Sequence, residues 1–324
     1  MTIGRRRIGV IGTLVCDEIY GPPPQRAYSE GWGGITYALS GLDAALPPTW
    51  EIVPLIKVGR DVAGDAQRFM QTLPRLAPEA DLREVPEQNN RSLLTYYSAD
   101  ERTEQMAGGV PAWQWHELEP VLAQARLDAL YVNFLSGWEL DLPTMQRVRA
   151  AVSGPIYIDV HMKLWVPDAS GRRSLTPLAD AAQWCGCCDY LQVNEEEMLM
   201  LSPSADALAQ MALGAGARSV FVTMGPRGVR YAERGARYAA RNDQTASAAI
   251  TLDIVPTSPI EHGVPTDPTG CGDVWGATAF SRLLAGEQLS DALRSAHAAA
   301  RVNAMSHGVD GLAARLTAAR VAAS

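Results

Sequence analysis

The chain has 324 residues, of which 47% are hydrophobic, enough to bury a full core as one large α/β domain or two smaller ones. Its net charge of −8 at pH 7 argues against nucleic acid as the main partner, because phosphate backbones select basic surfaces. No apolar run approaches the length of a membrane span, so no membrane partner is expected.

The amino-terminal run and the cysteines indicate a cytoplasmic protein. The apolar run after Arg7 is ended by Asp17 and Glu18 too early for a signal peptide. Five cysteines, an odd number without regular spacing, speak against a disulfide framework. A zinc site would need a second ligand pair beside the one cysteine cluster. We therefore predict buried or helix-end free thiols at Cys185, Cys187 and Cys188.

The first predicted strand, residues 8–15, is a short apolar run typical of a buried strand. Asp17 follows at its carboxyl end, where ligands bind in open α/β sheets; a turn aspartate is the alternative. The paired Gly33 and Gly34 then open a helix at Ile35. For these two glycines a packing role remains the alternative.

Strands and helices alternate through the middle of the chain. Residues 91–98 read as a strand that can form a hairpin with a partner near 101–106. Strands at 130–134 and 156–160 are separated by a helix near 143–152. This alternation is typical of a parallel sheet with helices on both faces.

The next two segments each end in a polar turn. A strand at 190–193 runs into Asn194, and Glu197 three residues later completes the pattern of a capping box. A buried strand from Ser219 ends at Thr223 and is followed by a glycine turn at Gly225 and Gly228. By itself this second pattern indicates only a turn.

The most informative stretch is the loop 267–273, which precedes an apolar, alanine-rich helix. Helix N-termini bind anions, and Gly270 and Gly272 let the backbone approach a ligand closely. Asp273 lies where it could take a proton from a hydroxyl held beside the same anion site. The alternative is an ordinary helix cap followed by a turn.

This loop, Asp267-Pro268-Thr269-Gly270-Cys271-Gly272-Asp273, resembles the carboxyl-terminal signature of PfkB-type, ribokinase-like carbohydrate kinases, Asp-Thr-x-Gly-Ala-Gly-Asp. Cys271 stands where the family carries a small residue. The resemblance implies an α/β fold with a mainly parallel central sheet flanked by helices and a small β lid. We expect one ribokinase-like domain over residues 1–324, with lid segments near 14–34 and 90–108.

The resemblance also implies roles in the acceptor and phosphoryl sites. Asp17 would bind substrate hydroxyls, and Gly33 and Gly34 would start a helix beneath the phosphoacceptor. The stretch from Asp159 resembles the family's Asp-x-Asn-x-Arg, with His161 for Asn and Lys163 for Arg. Lys163 would then contact the transferred phosphoryl, whereas His161 is expected to be a satisfied polar residue at a strand end. Asp273 would be the base, beside the N–H groups of Gly270, Cys271 and Gly272.

For the nucleotide, the resemblance implies ATP with Mg²⁺. Asn194 and Glu197 match the family's Asn-x-x-Glu, in which the Glu acts through water on magnesium; this role is compatible with a capping box. Thr223, Gly225 and Gly228 would line the nucleotide site. Asn303 would approach the adenine, with a structural role as the alternative.

One departure from the family bears on the acceptor. Ala38 stands where many members carry an Asn that contacts a sugar hydroxyl. We therefore expect an acceptor short of one hydroxyl, or one carrying an apolar group that could contact Tyr37 and Trp32.

The expected activity is ATP-dependent phosphorylation of a hydroxyl on a small sugar or polyol. A nucleoside kinase and a catalytically silent nucleotide- or metabolite-binding relative are the alternatives. A homodimer through the lid is a further expectation. The sequence has no P-loop, His-Glu-x-x-His or Gly-x-Ser-x-Gly motif.

Overall fold

The computed structural model describes residues 5–21, 23–24, 27–97, 102–234, 250–261, 264 and 266–323. Part of the predicted hairpin, residues 98 and 101, lies outside these ranges.

The strands are β1 (Arg6–Ile11), β2 (Leu14–Tyr20), β3 (Tyr28–Gly34), β4 (Trp50–Leu55), β5 (Lys57–Gly59), β6 (Arg83–Val85), β7 (Arg91–Tyr96), β8 (Arg102–Ala107), β9 (Ala129–Asn133), β10 (Ile156–Asp159), β11 (Trp165–Pro167), β12 (Arg173–Leu175), β13 (Tyr190–Asn194), β14 (Ser219–Thr223), β15 (Val229–Arg234) and β16 (Ile250–Val255).

The helices are α1 (Ile35–Ala45), α2 (Ala63–Met70), α3 (Trp115–Ala125), α4 (Leu142–Ala151), α5 (Ala181–Gly186), α6 (Glu195–Leu201), α7 (Ala205–Ala215), α8 (Cys271–Leu284), α9 (Leu289–Ala304) and α10 (Leu312–Ala323). Short 3₁₀ turns lie at His161–Leu164 and Gly225–Arg227.

A mainly parallel sheet forms the centre of the described structure, in the order β16–β15–β14–β13–β10–β9–β1–β4. Neighbours from β4 to β14 pair in parallel, and β15 and β16 are antiparallel. The predicted α/β architecture with a mainly parallel sheet is therefore confirmed.

Both faces of this sheet are covered by helices, as strand β9 illustrates. Ala129 and Tyr131 belong to the core cluster beneath α1, α8, α9 and α10, whereas Leu130 and Val132 belong to the cluster beneath α3, α4, α5 and α7. Side chains of a strand alternate between the two faces, so a strand covered on both faces is apolar throughout. This explains why the central strands read as continuous apolar runs.

The cysteine cluster lies in the second of these cores. Cys185, Cys187 and Cys188 are buried free thiols, as predicted. Burial raises the pKa of the Cys185 thiol to about 12, so this group stays protonated.

A second, smaller sheet has the strand order β3–β2–β7–β8. Its strands fall within the two segments near 14–34 and 90–108 that were predicted to form the lid. The hairpin of β11 and β12, which was not predicted, forms a separate two-stranded sheet. Its turn contacts the edge of the small sheet, where the Met106 N–H donates to the Gly171 carbonyl oxygen at 3.2 Å.

No helix among the described residues is both long and apolar enough to cross a membrane.

Candidate active site

A cleft of about 630 Å³ lies between the carboxyl ends of the central strands and the small sheet. This edge is where open α/β sheets bind ligands. Lining residues from the two sheets face each other across the cleft. The central sheet and its loops contribute Asp159, His161, Gln192, Asn194, Glu197, Thr223, Gly225, Gly270, Gly272 and Asp273, and the small sheet contributes Val15, Asp17, Ser92, Leu94, Thr103, Glu104 and Met106.

The loop before α8 is built to expose backbone N–H groups. Gly270 has a φ of 74°, and a Cβ there would lie 2.2 Å from the Tyr37 ring, so only glycine fits. The Asp267 carboxylate accepts the Thr269 N–H at 2.9 Å and fixes the turn. Among the described residues, the N–H groups of Gly270 and Gly272 have no hydrogen-bond partner. Together with the N-terminus of a 14-residue helix, they form a site suited to an anion.

Neither Cys271, within this loop, nor Asn303, which contacts it, lines the cleft. The Cys271 N–H donates to the Pro268 carbonyl oxygen at 3.1 Å, so the expectation that it joins the other two N–H groups does not fit the structure. Asn303 is buried, and its Nδ2 donates to the Thr269 carbonyl oxygen at 2.8 Å. The structure thus supports the structural alternative for Asn303, whose side chain holds the loop in place.

Asp273 occupies the first turn of α8 and faces the cleft. Its Oδ1 accepts a hydrogen bond of 2.5 Å from Nδ2 of Asn133, which is fully buried at the end of β9. Burial raises the pKa of the Asp273 carboxyl, while His161 and Asn133 oppose the rise. A carboxylate with a raised pKa beside an anion site can act as a general base.

His161 lies between three carboxylates at the carboxyl end of β10. Its Nδ1 is 2.9 Å from Oε1 of Glu197. Burial alone would lower the pKa of His161, but the hydrogen bond and charge of Glu197, together with the charges of Asp159 and Asp273, raise it to about 10. The ring therefore carries a positive charge at neutral pH. Burial in turn raises the pKa of Asp159, which His161 opposes.

The backbone of His161 is unusual, because its φ of 24° is costly for a residue other than glycine. The Met162 N–H, bonded to the Phe134 carbonyl oxygen at 2.9 Å, helps to hold this turn. The sequence-based expectation of a satisfied polar residue at a strand end is met, but the ring also lines the cleft.

Asn194 and Glu197 form the predicted capping box. The Glu197 N–H donates to Oδ1 of Asn194, and the Asn194 N–H donates to Oε2 of Glu197, each at 2.9 Å. Glu197 is buried, and its Oε1 is the partner of His161. Both of its oxygens are thus engaged within the protein, yet the residue lines the cleft.

Asp17 lines the cleft from β2, on the side formed by the small sheet. A Cβ at Gly33, on the paired strand β3, would lie 2.0 Å from the Asp17 carboxylate. Gly33 is therefore required beside Asp17, although it does not itself line the cleft. Gly34, with a φ of 60°, lines the cleft at the start of α1.

Lys163 does not come to the cleft, contrary to the sequence-based expectation. Its Nζ donates to the Leu140 carbonyl oxygen at 3.0 Å and lies 4.9 Å from the centre of a Trp184 ring. The 3₁₀ turn explains the difference, because it directs His161 and Lys163 to different sides.

The residues expected to line a nucleotide site are partly brought together. Thr223 and Gly225 line the cleft next to Asn194. Gly228 does not, and a Cβ there would lie 2.2 Å from the Val255 carbonyl oxygen. Its glycine serves the turn into β15.

Most of the residues that were expected to bear on an apolar acceptor do not line the cleft. Ala38 is fully buried in the core and Trp32 packs against that core, so neither lines the cleft. Tyr37 does, through the ring that covers Gly270. The argument that started from Ala38 therefore has no support in the structure.

Sequence reasoning missed Asn133, Gln192, Glu104 and Arg173 as cleft or supporting residues. For Asn133 and Gln192 a signal was present, since each is a polar residue in a mostly apolar central strand. No such signal marks Glu104 or Arg173, which lie in segments where polar residues are common.

These features define a class of α/β protein. Its cleft lies at the carboxyl ends of the strands, beside a glycine loop and a helix that carries an acidic residue in its first turn. Residues 162–314 match the family model described as pfkB family carbohydrate kinase. The match confirms the resemblance predicted from the sequence.

A curated relative, a ribokinase of Bacillus subtilis (strain 168), is 32% identical over 122 residues, which cover 38% of this chain. The match spans 35% of the relative's length.

Solved structures of two enzymes share the fold over nearly the whole chain. A Burkholderia thailandensis nucleoside kinase in complex with inosine has a TM-score of 0.69 at 16% identity, covering 98% of this chain and 97% of its own. An Arabidopsis thaliana ribokinase complexed with ribose and ATP has a TM-score of 0.65 at 16% identity, covering 97% and 99%. The fold of this chain is therefore ribokinase-like.

Proposed function

We propose that the protein is an ATP-dependent kinase that transfers the γ-phosphoryl group to a hydroxyl of a small sugar or polyol. The observation that carries the proposal is the position of Asp273. Its carboxylate faces the same cleft as the unpartnered N–H groups of Gly270 and Gly272 and, from the other wall, Asp17.

In this proposal Asp273 accepts the proton of the attacking hydroxyl, and Asn133 holds the carboxylate in place through the 2.5 Å hydrogen bond. The N–H groups of Gly270 and Gly272 stabilise the charge on the transferred group. Asp17 binds and orients the acceptor. Gly33 leaves room for the Asp17 carboxylate, and Gly34 lines the cleft at the start of α1. Phosphoryl transfer depends mainly on positioning and electrostatic stabilisation, so such a set is chemically sufficient.

The protonated His161 supplies the cation that was expected from Lys163. It lines the cleft with Asp273 and Glu197. A positive charge here favours a bound phosphate and, by opposing the rise in the pKa of Asp273, favours the ionised form of the base.

Magnesium fits this site as a hydrated ion. No group of three His, Cys, Asp or Glu side chains able to hold a metal occurs in the described part of the chain, and both oxygens of Glu197 are engaged. Mg²⁺ commonly keeps several waters and binds substrate phosphates. Glu197 would therefore act on it through water, and the ion would neutralise phosphate charge.

For the nucleotide we propose that Asn194, Thr223 and Gly225 contact ATP, because all three line the cleft where β13 and β14 end. Gly228 shapes the turn that carries Gly225, and Asn303 acts through the anion loop. The Arabidopsis relative that binds ATP and ribose supports this assignment by fold alone.

A nucleoside acceptor is the second candidate, favoured by the inosine complex of the Burkholderia relative. A silent nucleotide- or metabolite-binding protein is the third. The test is release of ADP with a panel of sugars, polyols and nucleosides. Turnover with sugars or polyols supports the proposal, turnover with nucleosides alone supports the second candidate, and binding without turnover supports the third.

We also propose a cytoplasmic homodimer that pairs through the small sheet. Tyr20 and Tyr28 expose 38% and 52% of their surface on this sheet, with ring centres 5.1 Å apart. Light scattering at micromolar concentration should give twice the chain mass, and Tyr28→Lys should shift it toward the monomer. A wild-type monomer would contradict this part of the proposal.

A further inference from the structure

Arg173 is a buried cation that the proposed chemistry does not use. It is only 6% exposed, yet it lines the cleft from β12, beside the small sheet. Its Nη2 donates to the Ser136 carbonyl oxygen at 2.8 Å. Within the described residues, its Nε and Nη1 have no hydrogen-bond partner, and it forms no ion pair with a carboxylate.

The surroundings hold this guanidinium in place. Ser136 belongs to a loop whose N–H groups at Leu135, Ser136 and Gly137 all donate to Glu139. On its other side, the Cζ of Arg173 lies 5.9 Å from the centre of a Trp138 ring. Arg173 is therefore anchored at one nitrogen and in position before any ligand arrives.

A buried charge without a counter-ion is energetically costly, and it is usually paired or bound to a ligand. Burial lowers the pKa of Arg173, and the charges of Glu104 and Glu139, which are near but not bonded to it, oppose that change. An arginine remains protonated in proteins. An anionic group of a ligand would provide the missing partner.

We propose that Arg173 binds a carboxylate of the phosphoryl acceptor, so that the preferred substrate is a sugar acid. The inference rests on the proposed function, because it uses the same cleft. In this inference Asp17, Ser92 and Glu104 bind the hydroxyls of the acceptor, and Arg173 binds its acid group; all four line the cleft.

A carboxylate fits better than a phosphate ester. Asp17 and Glu104 both line the cleft from the small sheet and repel added negative charge. One buried guanidinium balances a single negative charge, whereas a phosphate ester brings nearly two.

The test compares matched acceptors that differ in the acid group: gluconate with glucitol, ribonate with ribitol, and glucuronate with glucose. Glucose 6-phosphate and ribose 5-phosphate form the phosphate arm. We expect kcat/KM for at least one acid to exceed that of its neutral partner by about 30-fold or more, the lower range for a buried charge pair. Equal or better use of the neutral partners, or a preference for the phosphate esters, would overturn the inference.

Arg173→Gln should remove this preference, lowering kcat/KM for the acid by about 30-fold while changing the neutral partner by less than about threefold. Arg147→Gln is the control, because it removes the same charge from an exposed arginine of α4 that does not line the cleft, and it should leave the ratio unchanged. An equal loss with both acceptors in Arg173→Gln would mean a purely structural role.

Thermal unfolding with a nonhydrolysable ATP analogue separates this inference from the proposed function. If sugar acids raise the Tm of the wild type but not of Arg173→Gln, the inference stands even without turnover. If neutral sugars are phosphorylated and acids neither react nor raise the Tm, the inference fails and the proposed kinase activity stands.

Discussion

Asn133 and Asp273, which are 140 residues apart in the chain, are joined by a hydrogen bond of 2.5 Å from Nδ2 to Oδ1. The bond connects the end of β9 to the first turn of α8. It therefore couples the position of the proposed base to the central sheet.

This bond leads to a prediction for Asn133→Ala. A hydrogen bond to a charged group contributes about 1.5–3 kcal/mol, so we expect kcat to fall about tenfold or more at neutral pH. Because the Asn133 bond lowers the Asp273 pKa, its removal should raise that pKa further. The base works only when ionised, so the acid limb of the kcat/KM profile should move to higher pH. An acid limb that stays in place would contradict the role of Asn133.

Gly33→Ala tests the packing of Asp17. The added Cβ would lie 2.0 Å from the Asp17 carboxylate, which must move. Overpacking costs about 1–3 kcal/mol, so KM for the acceptor should rise roughly tenfold while ATP affinity is unchanged. Gly31→Ala on the same strand is the control, since a Cβ there meets nothing within 4 Å. Equal behaviour of the two variants would remove Asp17 from the acceptor site.

Glu197→Gln separates the cap from the magnesium role. Glutamine can complete a capping box, so the Tm should change little, while the magnesium concentration for half-maximal activity should rise severalfold. Glu195→Gln serves as the control, because it removes the same charge from the same helix turn at a residue paired with Arg227. If both variants respond to magnesium as the wild type does, only the structural role of Glu197 remains.

His161→Gln should make stability depend less on pH. The folded pKa of His161, about 10, lies above its unfolded value, so its contribution is complete below about pH 6.5. That contribution is lost as the pH rises toward 10. The Tm difference between wild type and variant should therefore be larger at pH 6 than at pH 10. A difference that grows with pH would show that His161 is neutral in the folded protein.

Much of the fold follows from local patterns. The apolar runs at β9 and β10 indicate strands covered on both faces, and Asn194 with Glu197 marks the start of α6. The glycine loop and Asp273 are likewise a local signal. Each of these features depends on residues that are neighbours in the sequence, so the amino-acid sequence alone predicts it.

The features that were not predicted depend on contacts between residues distant in the chain, or on the direction in which a side chain points. Arg173 was not predicted, because the residues that hold it in place, Ser136 and Trp138, lie in a loop that is distant in the sequence. His161 and Lys163 are two residues apart, and only the backbone of the turn decides which faces the cleft. Cys271 has an N–H at the right position, but a local hydrogen bond to Pro268 engages it.

The most direct test of the central claim is the turnover of Asp273→Asn, measured as ADP release with the best acceptor from the panel. We expect at least ~10²-fold lower kcat, the usual scale for a general base. ATP affinity and Tm should remain close to those of the wild type. Turnover near the wild-type rate would contradict the assignment of Asp273 as the base that activates the acceptor hydroxyl.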